Sequence, residues 1–255
     1  NGSGKLTINA AYGHGIVSKD DLVITGGSLD ITAAGHGLAG KDSVRIADGA
    51  LTINSGKDGI HAENNDDTAL GFIYIADGNF TIAAQSDGID AKNILQIDNG
   101  SFDITTGEGS AGVSAARQEN PGAWGGWANW GEIPQGTPSG DAGWPRQRPD
   151  GVAPVAPDAG NDAAQQQIPA SNSGQAATDD ASDVSLKGLK ASADLVIKGG
   201  DFRVDATDDD LHSNANVYVL GGEFALATGD DGVHADVAVD IRDGSMIISA
   251  CYEGI

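Results

Sequence analysis

Carboxylate side chains are concentrated in two short segments near the C-terminal end of the sequence, 208–214 and 230–236. Each segment contains consecutive aspartates followed by an apolar residue and a histidine, and corresponding positions are 22 residues apart. Carboxylates that lie close together repel one another unless a cation separates them. Ca²⁺ binds about six to eight oxygens from carboxylates, amides, carbonyls and water. The predicted Ca²⁺ ligands are Asp208, Asp209, Asp210, Asn214, Asp230, Asp231, Asp236 and Glu253.

Two further groups of acids extend the same hypothesis toward the N-terminal half. Asp66 and Asp67 form one group, and Asp58, Asp87 and Asp90 form the other. The competing interpretation is that turn aspartates only accept hydrogen bonds from backbone N–H groups, as in Asx turns. That interpretation explains one aspartate per turn, but it explains poorly three consecutive aspartates with a second acidic group in the next repeat.

Histidines and tryptophans supply the candidate contacts to a sugar chain. His212 and His234 are 22 residues apart, and they can orient carboxylates, contact a sugar or bind a softer metal such as Zn²⁺. Because oxygen ligands dominate nearby, we favour a supporting or surface role for both. Trp124, Trp127 and Trp130 are candidates for a platform that stacks on sugar rings. Equally, these tryptophans can hold a long insertion against the rest of the protein.

These side chains can meet only if the fold stacks them, and the sequence contains a suitable repeat. Short apolar segments recur about every 22 residues, with two interruptions, and one column of aliphatic positions is Ile8, Ile31, Ile53, Ile82, Ile104, Val204, Leu226 and Ile248. Each unit holds three short segments, of which the first and third alternate apolar with polar residues, the period of a half-buried strand. Glycine, aspartate and asparagine separate the segments, as turns require.

The repeat predicts an all-β protein, a right-handed single-stranded parallel β-helix of about eight 22-residue coils that forms one domain over 1–255. Successive coils stack at ~4.8 Å, so residues one repeat apart become neighbours in space. Insertions are predicted at about 64–72 and about 107–185, and the second contains all eight prolines and all four tryptophans. A column of aromatic residues is predicted to lie in the core, and it consists of Phe80, Phe102, Phe202 and Phe224.

The turn before the second segment of each coil collects the charged residues. One turn column reads His14, His36, Asp58, Asp87, Lys187, Asp209, Asp231 and Glu253. A second column, three residues further along each coil, reads Val17, Ala39, His61, Asp90, Lys190, His212 and His234. We interpret His14 and His36 as ordinary turn residues.

The net charge and composition of the chain exclude some classes of binding partner. The 255 residues include 37 acidic and 14 basic side chains, which gives a net charge of −23. Such a chain is not expected to bind nucleic acid or to adsorb to an anionic membrane surface. No apolar stretch is long enough for a transmembrane helix, so membrane insertion is not expected, and no signal peptide is visible. The single cysteine, Cys251, predicts no disulfide within the chain, which leaves bound metal as one source of stability.

Three C-terminal motifs resemble a known family. They are Asp-Asp-Leu-His-Ser-Asn at 209–214, Gly-Asp-Asp-Gly-Val-His-Ala-Asp at 229–236 and Tyr-Glu-Gly-Ile at 252–255. The chain outside the long insertion resembles bacterial cell-surface carbohydrate-binding β-helix proteins, which bind polygalacturonate and cellulose and contain Ca²⁺. This resemblance implies a carbohydrate ligand, bound Ca²⁺, an extracellular or cell-surface location and an architecture related to calcium-dependent pectate lyases.

The leading functional hypothesis is extracellular, calcium-dependent, non-catalytic binding of an acidic, pectin-like polysaccharide, in which Ca²⁺ bridges protein and uronate carboxylates. A second hypothesis is a structural subunit that associates end to end in an extracellular β-helix filament or adhesin. A third is a pectate-lyase-like enzyme, for which Lys187 and Lys190 are the candidate bases. No residue is assigned a catalytic role under the leading hypothesis.

Overall fold

The computed structural model describes residues 3–112 and 185–255, in which short strands follow one another around successive coils. The strands form three sheets, called sheets 1, 2 and 3, and every neighbouring pair is parallel. Sheet 1 consists of Lys5–Ala10, Ser28–Ala33, Ala50–Ser55, Asn79–Ala84, Ser101–Thr106, Asp201–Ala206, Glu223–Thr228 and Ser245–Ala250. Sheet 2 consists of Ile16–Ser18, Leu38–Gly40, Ile60–Ala62, Ile89–Ala91, Leu189–Ala191, Leu211–Ser213 and Val233–Ala235. Sheet 3 consists of Asp21–Ile24, Ser43–Ile46, Phe72–Ile75, Leu95–Ile97, Leu195–Ile197, Asn216–Val219 and Ala238–Ile241.

The predicted parallel β-helix of about eight coils is confirmed. Within the described residues, seven coils contribute one strand to each sheet, and an eighth adds Ser245–Ala250 and a bridge between Asp231 and Glu253. A single-turn 3₁₀ helix at Ser110–Gly112 is the only helix in these residues. No helix among them is long and apolar enough to cross a membrane.

The strand register follows the columns read from the sequence. In sheet 1, Ile31 pairs with Ile53, and Ile53 pairs with Ile82. The same register continues past the long insertion, since Phe102 pairs with Phe202. Coils on both sides of the insertion therefore belong to one continuous stack.

The core of the coils consists of stacked aliphatic and aromatic side chains. Strands of sheet 1 alternate exposed and buried residues, as in Ala50–Ser55, because successive side chains of a strand point to opposite faces. The predicted aromatic column is buried, and neighbouring rings stack with centroids 4.6 to 4.7 Å apart. Burying one such side chain contributes about 1.5 to 3 kcal/mol. Its members are Phe80, Phe102, Phe202 and Phe224.

Both insertions leave the stack between strands. The shorter one connects Ile60–Ala62 of sheet 2 to Phe72–Ile75 of sheet 3 within the third coil. The longer one leaves after Ser101–Thr106 of sheet 1, and the chain rejoins sheet 2 at Leu189–Ala191. Residues 113–184, which include Trp124, Trp127 and Trp130, lie outside the described residues.

The turns between sheets 1 and 2 contain glycines because the next coil leaves no space for a side chain. A Cβ atom added at Gly88 would lie 2.5 Å from Ile104 Cγ2 and 2.6 Å from the carbonyl oxygen of Gly188. Backbone atoms of a stacked coil cannot move away without breaking strand pairing. We therefore expect Gly88→Ala to lower the free energy of unfolding by about 1 to 3 kcal/mol, the usual range for overpacking.

Denaturant unfolding followed by circular dichroism measures this effect. Gly13→Ala is the matched control, because nothing lies within 4 Å of a Cβ added at Gly13. Equal stability of the two variants would contradict the close approach of the coils at this turn.

Candidate functional site

The two charged columns predicted from the sequence lie along one edge of the stacked coils. In sheet 2, His61 pairs with Asp90, Asp90 with Lys190, and Lys190 with His212. The preceding turns stack as well, because the backbone N–H of Gly188 donates to the carbonyl of Asp209. Carboxylates, imidazoles and ammonium groups from successive coils thus contact one another along this edge.

The first candidate site is a C-terminal acidic cluster formed by Asp208, Asp209 and Asp230. One carboxylate oxygen from each residue lies within 4.8 Å of the others. Asp209 is buried, whereas Asp208 and Asp230 are partly exposed. The three residues come from the turns of two adjacent coils, so the strand register determines their approach. An oxygen-only set of this kind suits a hard cation such as Ca²⁺.

Lys187 lies in the coil below and contacts two members of this cluster. Its Nζ forms an ion pair with Asp208 and lies 3.3 Å from Asp209 Oδ2. Burial alone would lower the pKa of Lys187, but the charges of Asp209 and Asp208 outweigh burial and raise it. The ammonium therefore stays protonated at neutral pH and offsets part of the negative charge of the cluster.

The two C-terminal histidines orient carboxylates, one of the roles considered for them. His212 Nδ1 lies 2.7 Å from Asp209 Oδ2, and its Nε2 lies 2.9 Å from Asn214 Oδ1. His234 repeats the arrangement one coil later, where its Nδ1 lies 3.1 Å from Asp231 Oδ2. The two rings stack with centroids 5.0 Å apart. The ring nitrogens of both histidines therefore contact carboxylate or amide oxygens.

The other predicted ligands make separate contacts around the three-carboxylate group. His234 Nε2 lies 3.2 Å from Asp236 Oδ1, so Asp236 contacts the second histidine. Asp231 donates its backbone N–H to Asp209 Oδ1, and Glu253 is exposed. Asp210 is fully buried in the position that glycine occupies in most other coils, and its Oδ1 accepts from the N–H of Ala206.

The second candidate site is an N-terminal histidine cluster formed by His36, Asp58 and His61. Asp58 Oδ2 lies 3.1 Å from His36 Nδ1 and 2.9 Å from His61 Nδ1. Asp90 approaches as well, with its Oδ2 3.3 Å from His61 Nδ1. Burial lowers the pKa of His61, but its contacts with Asp58 and Asp90 outweigh burial and raise the pKa to about 10.

The sequence grouped Asp58 and Asp90 with Asp87, but the structure separates Asp87 from the histidines. Its Oδ2 lies 2.8 Å from Lys190 Nζ, and its Oδ1 accepts the backbone N–H of Lys187 at 2.8 Å. His36, which we interpreted as an ordinary turn residue, instead contacts Asp58. The sequence signal for this cluster was the presence of His36 in the first turn column and His61 in the second.

The short insertion holds its acids in a turn. Asn64 Oδ1 accepts the backbone N–H groups of Asp66 and Asp67, both at 2.9 Å. Asp66 Oδ2 lies 2.7 Å from Lys41 Nζ at the surface, and Asp67 Oδ1 accepts from the N–H of Ala69. Asp67 therefore makes the backbone contact expected of a turn aspartate, whereas the carboxylate of Asp66 forms an ion pair.

Sequence comparison identifies the family. A family model described as carbohydrate-binding domain-containing protein matches residues 1–232. No curated protein and no solved structure shows a significant match to the chain. The matched region includes the N-terminal histidine cluster and the C-terminal acidic cluster, and the family description indicates carbohydrate binding. The chain therefore belongs to the carbohydrate-binding domain-containing protein family.

Proposed function

We propose that this protein binds acidic polysaccharide outside the cell, with Ca²⁺ held at the C-terminal acidic cluster as the bridge between protein and uronate carboxylates. The observation that carries the proposal is the convergence of Asp208, Asp209 and Asp230, whose oxygens lie within 4.8 Å of one another. Membership of the family supports a carbohydrate ligand. The acidic cluster supports an acidic carbohydrate, because a bound cation can bridge carboxylates of the protein and of the ligand.

The donor set fits Ca²⁺ in chemistry. With one oxygen from each carboxylate, the cluster provides three of the about six to eight oxygens that Ca²⁺ takes, so oxygens of the polysaccharide and water would complete the shell. Asp208 and Asp230 are partly exposed, which leaves the cluster accessible to a polymer lying on the surface. A uronate carboxylate is a suitable additional ligand because direct contact between it and a chain of net charge −23 is repulsive.

Lys187 acts as the internal counter-ion of this cluster. Its ammonium contacts Asp208 and Asp209, so it competes with a divalent cation for the same oxygens. When Ca²⁺ binds, the ammonium is released from the aspartates and becomes available to a uronate carboxylate. Cation binding and polysaccharide binding then favour one another.

The contacts of Lys190 argue against the lyase alternative. A lyase base must be neutral to remove the proton next to the uronate carboxylate. The charges of Asp87 and Asp90, which lie outside the calcium cluster, outweigh burial and raise the pKa of Lys190, which favours its charged form. Binding without cleavage is therefore the proposed activity, and filament assembly stays a separate prediction that electron microscopy tests.

Polygalacturonate binding with and without chelator tests the proposal. In Ca²⁺, we expect the protein to bind, and we expect EGTA or the double variant Asp208→Asn, Asp230→Asn to weaken binding by at least about 10-fold, or ~1.4 kcal/mol. The readout is calorimetry or retention on immobilised polygalacturonate. A neutral glucan run in parallel separates acidic specificity from general glycan binding.

The matched control is Asp20→Asn, Asp30→Asn, which removes the same charge from exposed positions. If this control weakens binding as much as the cluster variant, net charge and not the cluster governs affinity. Binding that persists in EGTA removes calcium from the mechanism. Appearance of unsaturated product during incubation would restore the lyase hypothesis.

A further inference from the structure

The N-terminal histidine cluster differs in donor chemistry from the oxygen-only cluster used above. It brings two imidazole nitrogens and one carboxylate oxygen together, with Asp58 Oδ2 at 3.1 Å from His36 Nδ1 and 2.9 Å from His61 Nδ1. Donor atoms around a tetrahedral metal with ~2.0 to 2.1 Å bonds are about 3.3 Å apart. The spacing of the cluster is therefore close to that of a metal coordination shell.

The Nδ1 atoms of both histidines are buried without hydrogen bonds. Among the described residues, neither His36 Nδ1 nor His61 Nδ1 has a hydrogen-bond partner in acceptable geometry, although each lies at ion-pair distance from Asp58. Buried polar atoms almost always have a partner, and an absent ion is one reason for an exception. Asp58 itself is 95% buried, since its relative exposure is 5%.

Neighbouring groups orient each donor toward the shared point. Asp58 Oδ1 accepts the backbone N–H of Asp87 at 3.1 Å, which leaves Oδ2 for the histidines. His61 Nε2 lies 3.3 Å from Glu63 Oε2, the carboxylate–histidine arrangement that commonly supports a metal ligand. The ring of His36 stacks between those of His14 and His61, at 4.9 and 4.3 Å.

We propose that His36, Asp58 and His61 form a binding site for a divalent first-row transition metal such as Zn²⁺, separate from the calcium cluster. Imidazole suits Zn²⁺, Cu²⁺ and Ni²⁺, whereas Ca²⁺ prefers oxygen, so the histidines decide the class of metal. Asp90 Oδ2, 3.3 Å from His61 Nδ1, is placed to supply a fourth donor.

An open groove of about 470 Å³ lies beside the two histidines of this site. Both histidines line it, together with Lys41 and Glu63. The competing arrangement without metal is an ion pair between a charged His61 and its two aspartates. In the ion-pair arrangement neither Nδ1 atom has a hydrogen bond in acceptable geometry, whereas a metal ion would satisfy both nitrogens.

Zn²⁺ titration of the untagged full chain tests the site, with excess Ca²⁺ present so that oxygen-only sites are filled. We expect one equivalent to bind with micromolar or tighter affinity and to raise the melting temperature by mass action. His61→Gln and His36→Gln are each expected to weaken binding by about 100-fold. Co²⁺ bound in place of Zn²⁺ should show the visible absorption of a nitrogen-ligated tetrahedral or five-coordinate ion.

His212→Gln, His234→Gln is the matched control, because these histidines also stack and also contact aspartates. It should retain the Zn²⁺ equivalent. Loss of the equivalent in this control, its retention in both His36→Gln and His61→Gln, or no binding by the wild-type chain would overturn the proposal. Circular dichroism of each variant confirms folding, and failure of the polygalacturonate test leaves this result unaffected.

Discussion

Phe102→Ala is expected to destabilise the protein by about 3 to 5 kcal/mol, the range for removing a large buried aromatic side chain. Phe102 is 2% exposed, and its ring lies between those of Phe80 and Phe202 at 4.6 and 4.7 Å. Removing the ring leaves a cavity in the middle of the stack, because strand pairing holds the adjacent coils at a fixed separation. The two flanking rings lose their contacts with it at the same time.

Chemical denaturation in Ca²⁺-free buffer measures this change without a contribution from metal. Ile247→Ala, on the exposed face of sheet 1 with 66% exposure, serves as the control. Exposed substitutions usually change stability by no more than about 0.5 kcal/mol. A loss below about 1 kcal/mol for Phe102→Ala would show that the aromatic stack does not hold adjacent coils together.

Asp210→Asn is expected to stabilise the protein, and the gain should grow as the pH rises. Asp210 has no exposed surface, and burial together with the charges of Asp205 and Asp209 raises its pKa to about 9. The unfolded chain loses this proton near its ordinary value of 3.8, whereas the folded chain keeps it. Between pH 3.8 and about pH 9 the folded state therefore binds more protons than the unfolded state. Over this range the free energy of unfolding falls by about 1.4 kcal/mol per pH unit.

Asparagine removes this pH dependence, because it is neutral and has nearly the same shape as a protonated aspartate. The amide oxygen can still accept from the N–H of Ala206, but the amide N–H₂ needs acceptors, and one left unpaired costs about 1 to 3 kcal/mol. We expect a net gain of about 1 to 3 kcal/mol at pH 7, whereas near pH 4 only the cost of the amide remains and the variant should be equally stable or up to about 2 kcal/mol less stable than the wild type.

Melting curves at several pH values in EGTA test the Asp210 prediction, with exposed Asp30→Asn as the control. The difference between variant and wild type is the informative quantity, since other groups titrate in both proteins. A constant difference from pH 4 to pH 8 would contradict a protonated Asp210. A variant less stable than the wild type at every pH would instead indicate that the carboxyl has a structural partner.

Much of the fold follows from the sequence because most coils have nearly the same length. A 22-residue repeat places Ile31 beside Ile53 without any knowledge of turn geometry, and the register in sheet 1 agrees. For the same reason the column that contains Asp90, Lys190 and His212 could be read from positions alone. The fold, its core and the general position of the charged edge were predictable.

The membership of the two clusters was less predictable, because contacts also form diagonally between columns. His36 and His61 stack although they are 25 residues apart, and Lys187 reaches Asp208 across 21 residues. Neither spacing matches the repeat, so column reading did not pair these residues. Of the eight predicted C-terminal ligands, Asp208, Asp209 and Asp230 have carboxylate oxygens within 4.8 Å of one another, whereas Asp231 and Asp236 contact His234.

The sequence by itself determined the stacking of coils, since parallel strand pairing places residues one repeat apart at adjacent positions. Only the tertiary structure decided which donor atoms face a common point, because turn conformation and side-chain rotamers direct each group. Asp209 and Asp210 show the difference, as they are neighbours in the chain and both are buried. The carboxylate of Asp209 joins the C-terminal acidic cluster, whereas that of Asp210 lies apart and accepts a backbone N–H.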